Sequence, residues 1–238
     1  MTTQLAFDLP APASLRREDF FVSPANALAL AVIDGGASGW PLGKMLLLGP
    51  AGSGKTHLAH VWARAAGAEI LAAAALGQAD IDARARGPLV LEDAQGVAGD
   101  ARAEAALFHL HNRLAERRLP LLITATAPPR DWGLALPDLA SRMQGTAVTR
   151  LDPPDDALLS AVLVKLFADR QIAVAPALIP WLVARMDRSL AAARDLVAAL
   201  DAASLARGGP VTRALAQRLL APDAMPGDAP PGDTLDSA

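Results

Sequence analysis

Gly49-Pro50-Ala51-Gly52-Ser53-Gly54-Lys55-Thr56 forms a complete G-x-x-x-x-G-K-[ST] loop, and its flanks restrict the folds open to this chain. Met45-Leu46-Leu47-Leu48 before it is a short apolar run that reads as a buried strand. His57-Leu58-Ala59-His60-Val61-Trp62-Ala63 after it reads as the opening of a helix. Strand, glycine loop and helix, in that order, is the context in which this pattern has a mechanism. The glycines let the backbone curl so that several N–H groups face one anion. The helix N-terminus adds its partial positive charge. Lys55 is then placed to reach the β- and γ-phosphates of a nucleotide, and the Thr56 hydroxyl to hold Mg2+. The expected nucleotide-contacting set is Gly49, Pro50, Ala51, Gly52, Ser53, Gly54, Lys55 and Thr56, with the adjoining His57. The expected ligand is ADP or ATP with Mg2+.

Short apolar runs alternate with helical stretches on both sides of this loop. Met45–Leu48, Leu89–Leu91, Leu121–Thr124 and Val148–Leu151 read as core strands. Helices start near Thr56 and between Asp100 and Glu104, the second running towards Arg118 with Leu107, Leu110 and Leu114 at helical spacing. Such alternation predicts a parallel sheet covered on both faces, an α/β domain over residues 18–152. After Pro153-Pro154 the pattern changes. Asp155–Arg170, Ala177–Met186, Ser189–Arg207 and Val211–Leu220 read as helices, with Gly208-Gly209 as a stop, so residues 153–222 are expected to form a small all-helical domain. Residues 1–17 read as an extended tail, and the Pro-, Gly- and Asp-rich residues 223–238 as a disordered acidic tail.

Composition narrows function by exclusion. The 238 residues carry a net charge of −3, which gives no global electrostatic case for DNA binding. There are 0 cysteines, hence no disulfide framework or thiolate zinc site. No signal peptide or membrane span is evident, and a soluble cytoplasmic protein is expected. His57, His60, His109 and His111 make no metal constellation and read as structural, the last two on different faces of one helix. Trp62, Trp132 and Trp181 read as packing residues and Trp40 as part of a loop.

Enzymes with this loop hold Mg2+ and the attacking water with acids at the end of a neighbouring strand. Leu89-Val90-Leu91-Glu92-Asp93 fits that place, with Glu92 expected to touch the metal and Asp93 the nucleotide site. A pair of solvated loop acids is the plainer alternative.

At this point the chain resembles a known family. Asp19-Phe20-Phe21-Val22-Ser23-Pro24-Ala25-Asn26 is similar to the segment that opens the AAA+ domain of the bacterial replication initiator DnaA and lines its adenine pocket, which implies nucleotide contacts for Phe21 and Val22. Glu92-Asp93-Ala94-Gln95 resembles that domain's acidic motif. Leu136-Pro137-Asp138-Leu139-Ala140-Ser141-Arg142 resembles its box VII in the wording typical of the DnaA-related Hda family. Gln4-Leu5-Ala6-Phe7-Asp8-Leu9-Pro10 resembles the sliding-clamp-binding peptide of Hda, with Gln4, Leu5, Phe7 and Leu9 as the contacting residues. The resemblance covers roughly residues 4–221. DnaA continues into a DNA-reading helix-turn-helix domain; this chain stops after its helical region. Direct sequence-specific DNA binding is therefore not expected, nor is a membrane partner.

The resemblance implies a nucleotide-bound regulator that docks on the DNA-loaded polymerase clamp, the β subunit, and stimulates ATP hydrolysis by DnaA. Taken alone, Arg142 reads as a surface arginine in an ion pair. By resemblance it is an arginine finger, supplied in trans to the nucleotide of DnaA. Arg194 resembles the sensor-2 arginine that reaches nucleotide phosphates, with Arg188 as a competitor. Two departures from the family pattern stand out. The first acid of the acidic motif is Glu92 rather than Asp, and the sensor-1 place carries Thr126 where Asp is usual. Both imply weak self-hydrolysis. An AAA+ finger also needs a partner subunit, so a homodimer is possible. An active ATPase acting as a helicase loader or remodeller is the alternative; a small-molecule kinase would need an acceptor site, and no motif supplies one.

Overall fold

A computed structural model describes residues 15–220. The chain divides into two compact units with the boundary after Leu158.

In the first unit the described elements follow in the order α1 (Ala27–Asp34), β1 (Lys44–Leu48), α2 (Lys55–Ala66), β2 (Glu69–Ala72), α3 (Ile81–Arg84), β3 (Leu89–Glu92), α4 (Ala101–Glu116), β4 (Leu121–Ala125), α5 (Pro137–Gln144) and β5 (Val148–Arg150). The strands form one parallel sheet in the order β2-β3-β4-β1-β5. The register is set at the centre, where Lys44 to Leu48 lie beside Leu121 to Ala125.

Continuous apolar strands follow from a sheet buried on both faces. Side chains alternate across it. Leu46, Leu48, Leu89, Leu91, Leu121 and Ile123 face one core, where Leu107, Leu110 and Leu114 of α4 and Leu139 and Met143 of α5 meet them. Met45, Leu47, Val90 and Leu122 face the other, packed with Leu30 and Ile33 of α1 and Leu58 and Trp62 of α2. Each fully buried leucine in these layers contributes about 1.5–3 kcal/mol of burial free energy. Trp40 lies in a connection, as its neighbours predict, but it is buried against Trp62 with ring centroids 5.0 Å apart, and its indole N–H donates to the Val32 carbonyl at 3.2 Å.

β2 escapes the sequence reading. It is an edge strand with a single buried residue, Leu71, set in an alanine-rich stretch that carries no clear period. The other four strands fall where the sequence reading places them, within one residue at each end, but β5 is an edge strand with only Thr149 buried and not a core strand. α4 opens on Asp100, whose carboxylate accepts from Arg102 N at 2.9 Å and Ala103 N at 3.2 Å. It stops just before Arg118, which takes a left-handed φ of 54°.

The regular elements of the second unit are all helices among its described residues. α6 (Asp156–Asp169) crosses into it, followed by α7 (Leu178–Val183), α8 (Leu190–Arg207) and α9 (Arg213–Leu220). Their core includes Leu163, Phe167, Leu182, Val197, Leu200 and Leu215. The Ser189 hydroxyl caps α8, accepting from Ala191 N and Ala192 N at 3.2 and 3.3 Å, and Gly208 closes it at φ 62°. α7 is shorter than the expected Ala177–Met186. Among the described residues, no helix is long and apolar enough to cross a membrane.

Candidate nucleotide site and a distant arginine

The glycine loop leaves the carboxyl end of β1 and runs into α2, whose first helical residue is Lys55. In open parallel sheets this is the edge where ligands bind. Gly52 and Gly54 take φ values of 72° and 101°, a region closed to most side chains. Gly49 is required for a different reason. A Cβ there would stand 2.7 Å from Ser53 Oγ and 2.8 Å from the Leu151 carbonyl oxygen. Its N–H donates to the Ala125 carbonyl at 3.2 Å, tying the loop to β4.

Lys55 Nζ donates to the carbonyls of Gly49 at 2.8 Å and Pro50 at 2.9 Å. Burial lowers its pKa, while the nearby Asp93 charge works the other way. Ser53 Oγ is buried and has no hydrogen-bond partner among the described residues. An ammonium held against loop carbonyls and an orphaned hydroxyl in a glycine cradle fit a phosphate group. Thr56 is exposed on the first turn of α2.

The neighbouring strand ends carry the rest. Glu92 closes β3, and its Oε1 is buried without a hydrogen-bond partner, so it remains an acceptor for a metal-bound water. Asp93 is exposed and left-handed at φ 53°, and its N–H donates to Thr124 Oγ1 at 3.0 Å. Thr126 N donates to Gln95 Oε1 at 3.3 Å, so the acidic motif and the end of β4 are tied twice. These residues fit Mg2+ held mainly through phosphates and water, since no group of three His, Cys, Asp or Glu capable of holding a metal exists among the described residues.

Phe21 is half-buried and Val22 is 57% exposed. They sit in a turn closed by Asn26, whose Nδ2 donates to the Phe21 carbonyl at 2.8 Å and whose Oδ1 accepts from Ser23 N at 2.9 Å. His57, grouped with the nucleotide residues on sequence, contacts this opening segment. Its Nε2 lies 2.9 Å from the Arg16 carbonyl oxygen, and its ring meets Phe20 edge-on at 5.2 Å. Arg188 and Arg194 belong to the second unit, Arg194 exposed on α8 and Arg188 just before it. Gln4, Leu5, Phe7 and Leu9 lie outside the described residues, as does the 223–238 tail.

Arg142 stands apart from this cluster. It is exposed on α5 and lines a cavity of about 230 Å³ together with Lys44, the first residue of β1. The glycine loop starts at the other end of that strand, about 16 Å further along at 3.3 Å per residue. Glu104, which sequence reasoning did not single out, sets the approach to α5. Its buried carboxylate accepts from Gly99 N at 3.2 Å, Ala135 N at 3.2 Å and Leu136 N at 2.8 Å. Burial opposes its charge, yet these N–H donors outweigh it and hold the pKa below the ordinary value. A lone glutamate at a helix start carries no sequence signal for that role.

Sheet order, loop and acidic strand end define a P-loop α/β fold of the AAA+ class. No family model matches the chain. Among solved structures it is similar to domain III of the Thermotoga maritima replication initiation protein DnaA, with a TM-score of 0.75 and 19% identity over 90% of this chain and 98% of that one. AMPPCP-bound DnaA from Aquifex aeolicus follows at 0.64 and 19%, over 77% of this chain and 64% of that one. The Holliday junction branch migration motor RuvB of Thermotoga maritima is similar at 0.58 and 18%, over 74% and 60%. The chain thus spans nearly all of the isolated DnaA domain but less than two thirds of the two longer proteins. At these identities the likeness is one of fold: a DnaA-like AAA+ fold.

Proposed function

We propose that this chain is a nucleotide-bound AAA+ regulator of the Hda kind, which docks on the DNA-loaded sliding clamp and stimulates ATP hydrolysis by DnaA, restraining replication initiation. ADP or ATP with Mg2+ occupies the loop from Gly49 to Thr56. The observation that carries the reading is the separation of Arg142 from that loop by the length of β1. An arginine exposed there serves a nucleotide other than its own chain's. Such a finger neutralises charge developing on the γ-phosphate and raises hydrolysis by about 10³–10⁵. Glu92 and Thr126 in place of aspartates support a nucleotide that stabilises shape more than it turns over. The clamp peptide Gln4 to Leu9 and a sensor-2 role for Arg194 or Arg188 belong to the same proposal.

The test is hydrolysis of DnaA-bound ATP, with and without clamp loaded on DNA. The wild-type chain should accelerate it in the clamp's presence. Arg142→Ala should lose about 10³-fold of that acceleration while keeping nucleotide affinity. Undiminished acceleration would remove Arg142 from the role. A second reading, an active ATPase that loads or remodels a partner, is favoured by the intact loop and the unpaired Glu92 oxygen. Vigorous turnover by the isolated chain would select it.

A further inference from the structure

Lys44 is 2% exposed. Its Nζ donates to the His111 carbonyl at 3.0 Å and stands 2.9 Å from His111 Nε2 and 3.1 Å from Nδ1. Burial and the Lys44 charge push His111 down to about 4, so its ring is neutral and offers Lys44 a lone pair but no negative charge. The cavity beside them, about 230 Å³, is lined on its polar side by Lys44, His111, Ser141, Arg142 and Thr146, with Leu42 at the rim. No acidic residue lines it. Among the described residues neither Lys44 nor Arg142 has a carboxylate within ion-pair distance. Buried charges are ordinarily paired. Here two cations share one concave, solvent-connected space without an anion.

We propose that this cavity is a second anion site, in which Lys44 and Arg142 together bind one oxyanion, a phosphoryl or carboxylate group. Lys44 supplies a fixed charge from the floor and Arg142 a planar donor fork from the exposed wall, the pairing that suits an anion with several oxygens. The exposed Leu42, held left-handed at φ 53°, gives the rim an apolar lip. The site does not depend on the DnaA reading, because free anions can test it.

The full-length chain, with its glycine loop filled by ADP and Mg2+, is titrated with inorganic phosphate and, separately, with succinate, while the His111 ring resonances are followed. A saturable shift is expected with at least one of them. Tighter phosphate binding assigns the site to phosphoryl groups, and tighter succinate binding to carboxylates. Lys44→Met should weaken the binding about tenfold or more, as expected for one lost charge-assisted hydrogen bond. Arg142→Ala, at an exposed position, should do the same without risk to folding. A response that fails to saturate with either anion, or one with the same midpoint in both variants, overturns the proposal. Failure of DnaA stimulation with anion binding intact would instead count against the proposed function alone.

Discussion

A buried lysine stands near each end of β1, Lys44 within the strand and Lys55 beyond the glycine loop at the start of α2, and the two are treated differently. At the carboxyl end, Lys55 is bonded to the carbonyls of Gly49 and Pro50, with Asp93 near enough to favour its charge. At the amino end, Lys44 meets a carbonyl, a neutral imidazole and the repelling charge of Arg142. The first arrangement is tolerable before any ligand arrives, because backbone oxygens and a carboxylate already offset the ammonium. The second leaves positive charge without a counterion. Under the proposed function, the first suits a loop that exchanges its own nucleotide, and the second a surface that meets an anion carried by something else.

Exchanging residues between these ends tests the comparison. The largest effect expected is the loss of about 10³-fold in DnaA hydrolysis for Arg142→Ala. The matching change at the other end, Lys55→Ala, should weaken ADP and ATP binding about 10–100-fold in calorimetry, the range for one charged hydrogen bond. Arg142→Ala should not alter that affinity. If it does, the two ends are not separate sites.

Glu104→Gln loosens the approach to α5 rather than either charge. Replacing a carboxylate that accepts three backbone N–H bonds should destabilise the chain by about 2 kcal/mol near neutral pH, read by denaturant unfolding. Because the folded pKa of Glu104 lies below the ordinary 4.5, its contribution is complete above that value and is lost as pH falls below it. The gap between wild type and variant should therefore close in acid.

The smallest effect carries the opposite sign. Burial, with the Arg142 charge added, brings Lys44 from 10.5 down to about 8. Below about 8 both folded and unfolded chains hold this proton, and the folded state bears the full cost of the buried charge. Between about 8 and 10.5 the unfolded chain binds more protons, so stability rises with pH. Lys44→Met should accordingly stabilise the fold by about 1 kcal/mol at pH 7, with the advantage shrinking above pH 8. A destabilised variant at pH 7 would mean that Lys44 contributes to the fold and is not strained by it.

Much of the fold could be read directly. The three central strands, β1, β3 and β4, announce themselves as apolar runs, because strands buried on both faces are mostly apolar, whereas β5 at the edge buries only Thr149. The glycine loop is equally local: its backbone, its lysine and its helix are contiguous. β2 stayed hidden because an edge strand with one buried side chain needs neither period nor apolar run. His111 falls on a face of α4 different from that of His109, as their spacing predicts, yet its partner Lys44 lies 67 residues away. The contacts of the His57 ring with Arg16 and Phe20 likewise join residues 41 and 37 positions apart, which no local pattern carries.

The sequence by itself therefore determined the alternation of strands and helices, the glycine loop before α2 and the helices of the second unit, since each depends on contacts between near neighbours or on a repeating period, whereas the strand order was left to long-range pairing. Only the tertiary structure decided that Glu104 steadies the start of α5, and that Lys44, His111 and Arg142 share one cavity without an acid. Those arrangements join separate elements, and the free energy of a buried charge depends on which groups the fold brings around it.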